Sequence, residues 1–151
     1  MSELLSGVTL KDQDGNEHDA GEYLKGKVVG LYFSAGWCPP CRAFTPKLKR
    51  YYEAIKEKHP EFEVIFVSRD REDADLVEYF NDHHGKWLYI PFGNAKIQEL
   101  LTKYEVKTIP SMRIVKPSGD VVVSDARNEI ADKGSDAEAL WEEWTAFYGD
   151  E

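Results

Sequence analysis

The stretch Tyr32-Phe33-Ser34-Ala35-Gly36-Trp37-Cys38-Pro39-Pro40-Cys41 decides how this chain is read: an apolar run ends in three small residues and then in two cysteines, the only two in the 151-residue sequence. Ser34-Ala35-Gly36 lets the chain leave a strand and present Trp37 and Cys38 at its end. Two thiols at this spacing, where the chain turns into a helix, can close a small disulfide ring and reopen it by exchange. A loop so short stabilises a fold by only about 2 kcal/mol, far less than a long-range staple. Redox exchange therefore accounts for the pair better than stapling does. The expected helix points its free backbone N–H groups at Cys38, favouring a thiolate there and making it the candidate nucleophile. Cys41, one turn further in, is the candidate resolving thiol.

Outward from this motif, the composition is that of one soluble globular domain spanning 1–151, with 42% apolar and 31% charged residues. The net charge of −9 argues against direct nucleic-acid binding and against anionic membranes, since either polyanion would repel it. Met1-Ser2-Glu3-Leu4-Leu5-Ser6 has neither the basic flank nor the apolar run of a secretory signal. With both cysteines in one motif, the expected compartment is reducing: the cytoplasm, with the nucleus left open.

Lys27 to Phe33 and Phe62 to Val67 are nearly continuous apolar runs, expected as strands buried on both faces. Before them, Gly7 to Leu10 and the turn Gln13-Asp14-Gly15-Asn16 predict a short hairpin covering a sheet edge, and Asp19 to Leu24 a helical turn. Phe44, Leu48, Tyr51, Tyr52 and Ile55 recur at three and four, predicting a helix from Cys41 to Lys58 that Pro46 should kink. Asp73, Leu76, Val77 and Phe80 mark the core side of a second helix, and His83-His84 its frayed end, where a cation suits the dipole. Trp87 to Phe92 reads as another extended segment, after which Asn94 is placed to cap a third helix. Ile109-Pro110 leads into Met112 to Val115, and Pro117-Ser118-Gly119-Asp120 turns the chain back into Val121 to Val123. Ser135-Asp136-Ala137-Glu138 looks like a capping box for a last helix burying Ala137, Leu140, Trp141, Trp144 and Phe147.

The Trp-Cys-x-x-Cys motif at a strand-to-helix junction, Pro46 five residues beyond Cys41, and Ile109-Pro110 before a hairpin together resemble the thioredoxin fold. More narrowly, Tyr32 to Pro46 is similar to the tryparedoxins and nucleoredoxins, which carry Cys-Pro-Pro-Cys. Ile65-Phe66-Val67-Ser68-Arg69-Asp70-Arg71 leans towards nucleoredoxin. The resemblance implies an α/β fold with a central mixed sheet flanked by helices on both faces and an N-terminal hairpin extension. It implies that Cys38 attacks a substrate disulfide, that Cys41 resolves the mixed disulfide, and that a cis Pro110 faces the pair. Trp37, Pro39, Pro40, Ile109 and Pro110 are the substrate-binding residues it implies, with Ile109 offering backbone to an extended segment. Taken alone, Ile109-Pro110 reads as an ordinary strand entry and Trp37 as ordinary packing; their place beside Cys38 favours the substrate-binding reading. Arg127 falls where tryparedoxins keep an arginine near the dithiol, and reads either as a substrate contact for a carboxylate or as a solvated surface residue. No cofactor is implied beyond the Cys38–Cys41 redox disulfide, and no metal. The implied partners are disulfide-containing proteins and a thiol reductant or reductase.

Two positions depart from the pattern. Thioredoxins keep a buried aspartate where this chain has Tyr32, a poor proton acceptor at neutral pH, so the resolving step needs another base or water. Arg69-Asp70-Arg71 stands where tryparedoxins bind a cationic polyamine-linked thiol, and two arginines should repel it. Pro39 and Pro40 lack backbone N–H groups, removing two donors from the Cys38 thiolate and placing the expected potential towards about −270 mV, the reducing end.

Three function classes remain at this point. The first is a thiol–disulfide oxidoreductase. The second is a redox-regulatory module that uses the same groove to bind a signalling protein or transcription factor. The third is a metal site made of Cys38, Cys41 and two of His18, His59, His83 and His84, the weakest because no histidine pair has zinc-finger spacing. The acidic run Asp70 to Asp75 reads as a helix start.

Overall fold

The computed structural model describes residues 4–116 and 118–148, the last two by their backbone. The expectations for Met1-Ser2-Glu3, Pro117 and the Phe147 side chain lie outside the described residues. Strands β1 (Thr9–Lys11) and β2 (Glu17–Asp19) form the N-terminal hairpin. Helix α1 (Ala20–Tyr23) follows, capped by Asp19, whose carboxylate accepts the Glu22 N–H at 3.1 Å. Then come β3 (Val28–Ser34), α2 (Pro39–Lys58), β4 (Phe62–Ser68), α3 (Asp73–His83), β5 (Leu88–Tyr89) and α4 (Ala95–Lys103). The chain ends with β6 (Ser111–Val115), β7 (Val121–Val123), α5 (Ala126–Lys133) and α6 (Ala137–Tyr148).

The strands make one mixed sheet in the order β2-β1-β5-β4-β3-β6-β7. β3 and β4 are its parallel centre, in register from Val28 opposite Phe62 to Ser34 opposite Ser68. Both strands are buried throughout, as their unbroken apolar runs require. Alternation then divides the core in two. Tyr32, Phe62, Val64 and Phe66 face a layer closed by α2, α3, α5 and α6. Leu31, Phe33, Ile65 and Val67 face the layer that Leu100 and Leu101 of α4 and Leu24 close from the other side. Each large side chain so enclosed contributes roughly 1.5–3 kcal/mol.

The hairpin covers the β5 edge, with Lys11 opposite Tyr89. It is clasped from its turn as well. The Gln13 amide donates to the carbonyls of Gly85 at 2.9 Å, His84 at 3.2 Å and Phe80 at 3.5 Å, serving the C-terminal end of α3. Helix α2 runs unbroken through Pro46.

Several expectations need correction. His84 does close α3, but it is neither frayed nor a cation: it is 2% exposed, packed among Phe66, Tyr79, Phe80 and Trp87, with Nδ1 accepting the Trp87 indole N–H at 3.0 Å. Burial holds it neutral, far below the ordinary imidazole range. On α3, Asp73 is exposed and Tyr79 takes the expected core position. Helix α6 is capped by Asp136, whose Oδ1 accepts the Ala139 N–H at 3.4 Å, one residue beyond the expected Ser135. Helix α5 was not anticipated, because only Ala126 and Ile130 of it are buried. Trp141 and Trp144 are core residues, as their spacing implies. No helix among the described residues is long and apolar enough to cross a membrane.

Candidate active site

The chain leaves β3 at its C-terminal end and must reverse into α2 within a few residues. Gly36 makes this possible. A Cβ there would stand 3.0 Å from Tyr79 Cβ and 3.4 Å from Asp70 Oδ1, so an added side chain would push α3 away by a few tenths of an ångström. The space goes to a hydrogen bond: the Gly36 N–H donates to Asp70 Oδ1 at 2.8 Å. The other Asp70 oxygen accepts the Ser68 hydroxyl at 2.7 Å, and the Asp70 N–H donates to Ser68 Oγ at 2.8 Å. The acidic run does open α3, with Asp73 and Asp75 in its first turn, but Asp70 lies before the helix, 8% exposed, and ties the β4–α3 loop to the β3–α2 loop.

Arg42, on the first turn of α2, donates its Nε–H to the Gly36 carbonyl and lies 3.1 Å from His83 Nε2. Trp37 is 53% exposed and donates its indole N–H to the Arg69 carbonyl at 3.1 Å. The Arg71 guanidinium lies over the Trp37 ring, 5.4 Å from its centroid. The indole is thus pinned at its edge and covered by a cation.

Cys38 is the N-cap residue of α2, followed by exposed Pro39 and Pro40, where missing N–H groups cost the helix nothing. It makes no side-chain cap bond. Its Sγ instead lies 3.7 Å from the Ile109 carbonyl, within a small cluster of Ala35, Cys38, Cys41 and Ile109. The Ile109–Pro110 bond is cis and Pro110 is buried. Both cysteines are free thiols. Cys41 is fully buried, and burial first, then its contact with the Cys38 thiol, pushes its pKa up to about 12.

Below Cys41 lie four buried hydroxyls. Ser34 interacts with the Cys41 thiol. Ser34 Oγ is 2.7 Å from the Tyr79 hydroxyl, Tyr79 is 2.7 Å from Thr45 Oγ1, and Thr45 is 2.7 Å from the Tyr32 hydroxyl. Thr45 donates to the Cys41 carbonyl at 2.8 Å. Burial drives the Tyr32 phenol well above its ordinary range, so it stays protonated.

Cys38, Cys41, Trp37, Ile109 and Pro110 therefore meet at one end of the sheet. Arg127, half-buried on α5, lines a shallow cavity of about 240 Å3 with Pro40, Ala43, Phe44, Lys47 and Ala131, on the flank of α2. The histidines do not converge: His18 pairs with Asp12, His59 with Glu138, His83 with Arg42 and His84 with Trp87. Among the described residues no group of three or more His, Cys, Asp or Glu could hold a metal ion. Sequence reasoning missed Ser34, Thr45, Tyr79 and Asp70 as parts of the site. The available signals were a serine closing an apolar strand, a threonine on the apolar face of α2, and the Ser68-x-Asp70 pair.

This arrangement, a 6%-exposed sulfur at the helix N-cap backed by a fully buried one, fits thiol exchange, and comparisons with known proteins agree. Residues 26–121 match the family model described as thioredoxin-like. The chain is 42% identical over 120 residues to probable nucleoredoxin 1 of Arabidopsis thaliana, covering 80% of this chain and 20% of that protein. Thioredoxin from Wuchereria bancrofti superposes with a TM-score of 0.83 at 40% identity, covering 95% of this chain and 98% of that one. Tryparedoxin I from Crithidia fasciculata gives 0.77 at 38% identity, covering 86% and 89%. The chain spans only 20% and 31% of the plant and mouse nucleoredoxins it matches. With the mixed sheet, the cysteine pair at the start of α2 and the family match running from before β3 to β7, the chain belongs to the thioredoxin-like family.

Proposed function

We propose that the chain is a thiol–disulfide oxidoreductase that reduces protein disulfides. Cys38, as thiolate, attacks one sulfur of a substrate disulfide; that S–S bond breaks, a Cys38–substrate disulfide forms, and the other substrate sulfur leaves as a thiol. Cys41 then attacks Cys38 Sγ, releasing the second substrate thiol and leaving a Cys38–Cys41 disulfide, which an external thiol reductant or reductase returns to the dithiol. The observation that carries this reading is the arrangement of the pair: Cys38, buried but with 6% of its surface still exposed, stands at the N-cap of α2 with Sγ 3.7 Å from the Ile109 carbonyl, while Cys41 has no exposed surface. Trp37 offers a flat apolar wall to the segment flanking the substrate cysteine, and the half-buried Ile109 backbone is placed to pair with it. Pro39 and Pro40 at the exposed start of α2 support a reducing potential, towards about −270 mV.

Reduction of insulin disulfides by dithiothreitol tests this. The wild-type chain accelerates precipitation of the insulin B chain and Cys38→Ser does not; equal rates for the two proteins and for dithiothreitol alone would overturn the reading. A second reading, a redox-regulatory module for a signalling protein or transcription factor, is favoured by the exposed Trp37 and Phe92, which border neighbouring cavities that share Asp70. Partner affinity that is unchanged in Cys38→Ser would favour binding over turnover.

A further inference from the structure

The four hydroxyls beneath Cys41 have only one consistent arrangement of protons while Cys41 is a thiol. The fixed point is the Cys41 carbonyl, which can only accept, so the single Thr45 hydroxyl proton is committed to it. Thr45 Oγ1 must therefore accept from both of its phenol neighbours, and Tyr32 and Tyr79 both donate to it. With the Tyr79 proton spent on Thr45, the Ser34–Tyr79 contact can be made only by Ser34 donating. Ser34 then turns lone pairs, not its proton, towards Cys41, with whose thiol it interacts. The chain of donation runs from Ser34 to Tyr79, from Tyr79 to Thr45 and from Thr45 to the Cys41 carbonyl.

Ionisation of Cys41 changes one link and no other. Thr45 remains bound to the carbonyl, and both tyrosines remain bound to Thr45. Only the Ser34 hydroxyl can rotate about its Cβ–Oγ bond, giving up a neutral bond to Tyr79 for a charge-assisted one to the thiolate. We propose that Ser34 is a reorienting donor for the resolving cysteine: its hydroxyl points to Tyr79 while Cys41 is a thiol and swings onto the sulfur as Cys41 ionises to attack a mixed disulfide. Cys41 gives its proton to water as it ionises, its sulfur bonds to Cys38 Sγ as the substrate sulfur leaves as a thiolate, and a thiolate basic enough takes a proton back from water, so the step balances. No carboxylate is needed: all four of Tyr32, Ser34, Thr45 and Tyr79 are buried, and the network they form is of hydroxyls. Ser34 is a positioning residue here, acting only through Cys41. The inference rests on the dithiol reading given above.

The test uses 5,5′-dithiobis(2-nitrobenzoate) with the whole chain. Attack by Cys38 releases one thionitrobenzoate anion, and resolution by Cys41 releases a second, so the two steps are read separately at one wavelength. In Ser34→Ala the second release slows about tenfold relative to the first, and its pH midpoint rises by about one unit, the loss expected for one charge-assisted bond. In Tyr79→Phe the Ser34 hydroxyl loses its competing acceptor, so the second release is as fast as in the wild type or faster. An unchanged pH profile in Ser34→Ala overturns the proposal. So does equal slowing of both releases in both variants, which is what a packing role would give. If the wild type releases only one equivalent, the dithiol reading itself fails first.

Discussion

Asp70 and Gly36, separated by 34 residues of chain, are joined by a 2.8 Å hydrogen bond from the Gly36 N–H to the Asp70 carboxylate. Because Gly36 immediately precedes Trp37 and Cys38, this bond fixes the height at which the motif emerges from the sheet. Asp70→Ala leaves the buried Gly36 N–H without its acceptor and frees the Ser68 hydroxyl. We expect a loss of about 2–3 kcal/mol, read from the urea midpoint, and a fall in insulin reduction larger than the stability loss explains. Unchanged stability in the variant would show that the loop is held by other contacts.

His84 should make stability depend on pH. Its folded-state pKa lies well below the ordinary value because burial disfavours the cation, so the unfolded chain binds a proton that the folded chain does not. Its contribution is therefore fully present above about pH 6.5 and is lost as pH falls below it towards the folded pKa. Urea midpoints measured from pH 7.5 down to pH 5 should decline, and the decline should be shallower in His84→Gln, which retains an acceptor for the Trp87 indole. Parallel slopes in the two proteins would remove His84 as the cause.

The two thiols should differ sharply towards an alkylating agent. Cys41 is fully buried and remains protonated until about pH 12, and alkylation requires a thiolate that the reagent can reach. Limiting iodoacetamide at pH 8, followed by peptide mass mapping, should place the label on Cys38 with Cys41 spared by at least about tenfold. Comparable labelling of both would contradict the assigned order of attack.

Gln13 clasps the N-terminal hairpin to the end of α3 through carbonyls of Phe80, His84 and Gly85. Gln13→Ala should cost about 1 kcal/mol and speed hydrogen exchange in β1 and β2 ahead of the central strands. Exchange that accelerates equally in β3 and β4 would mean the hairpin does not open on its own.

Most of the fold was legible because the central strands are continuous apolar runs and α2 carries its core residues at helical spacing. The cysteine pair was legible because its chemistry lies within a few consecutive residues. What escaped is what depends on partners far along the chain. Asp70 looks solvated beside Arg69 and Arg71 until the Gly36 N–H is brought to it. His84 follows His83 at a helix end, and only the closing of Phe66 and Trp87 around it makes it a core residue. Helix α5 rests on two buried positions, too few to make a periodic stripe. The hydroxyl network joins β3, α2 and α3, and the serine closing β3 and the threonine on the apolar face of α2 are weak signs until the fold brings them together.

The parallel pairing of β3 and β4 ends with Ser34 directly opposite Ser68. From these two facing residues the chain departs on one side to Gly36 and Cys38, and on the other to Asp70. Strand pairing thus works as a ruler for the chemistry. A slip of β4 by one residue would carry Asp70 past its donor and turn Ser68 to the opposite face of the sheet, freeing the loop before Cys38 without touching either cysteine. Sheet alignment is therefore a precondition of redox competence, and substitutions at the far end of β4 can silence the thiols from a distance.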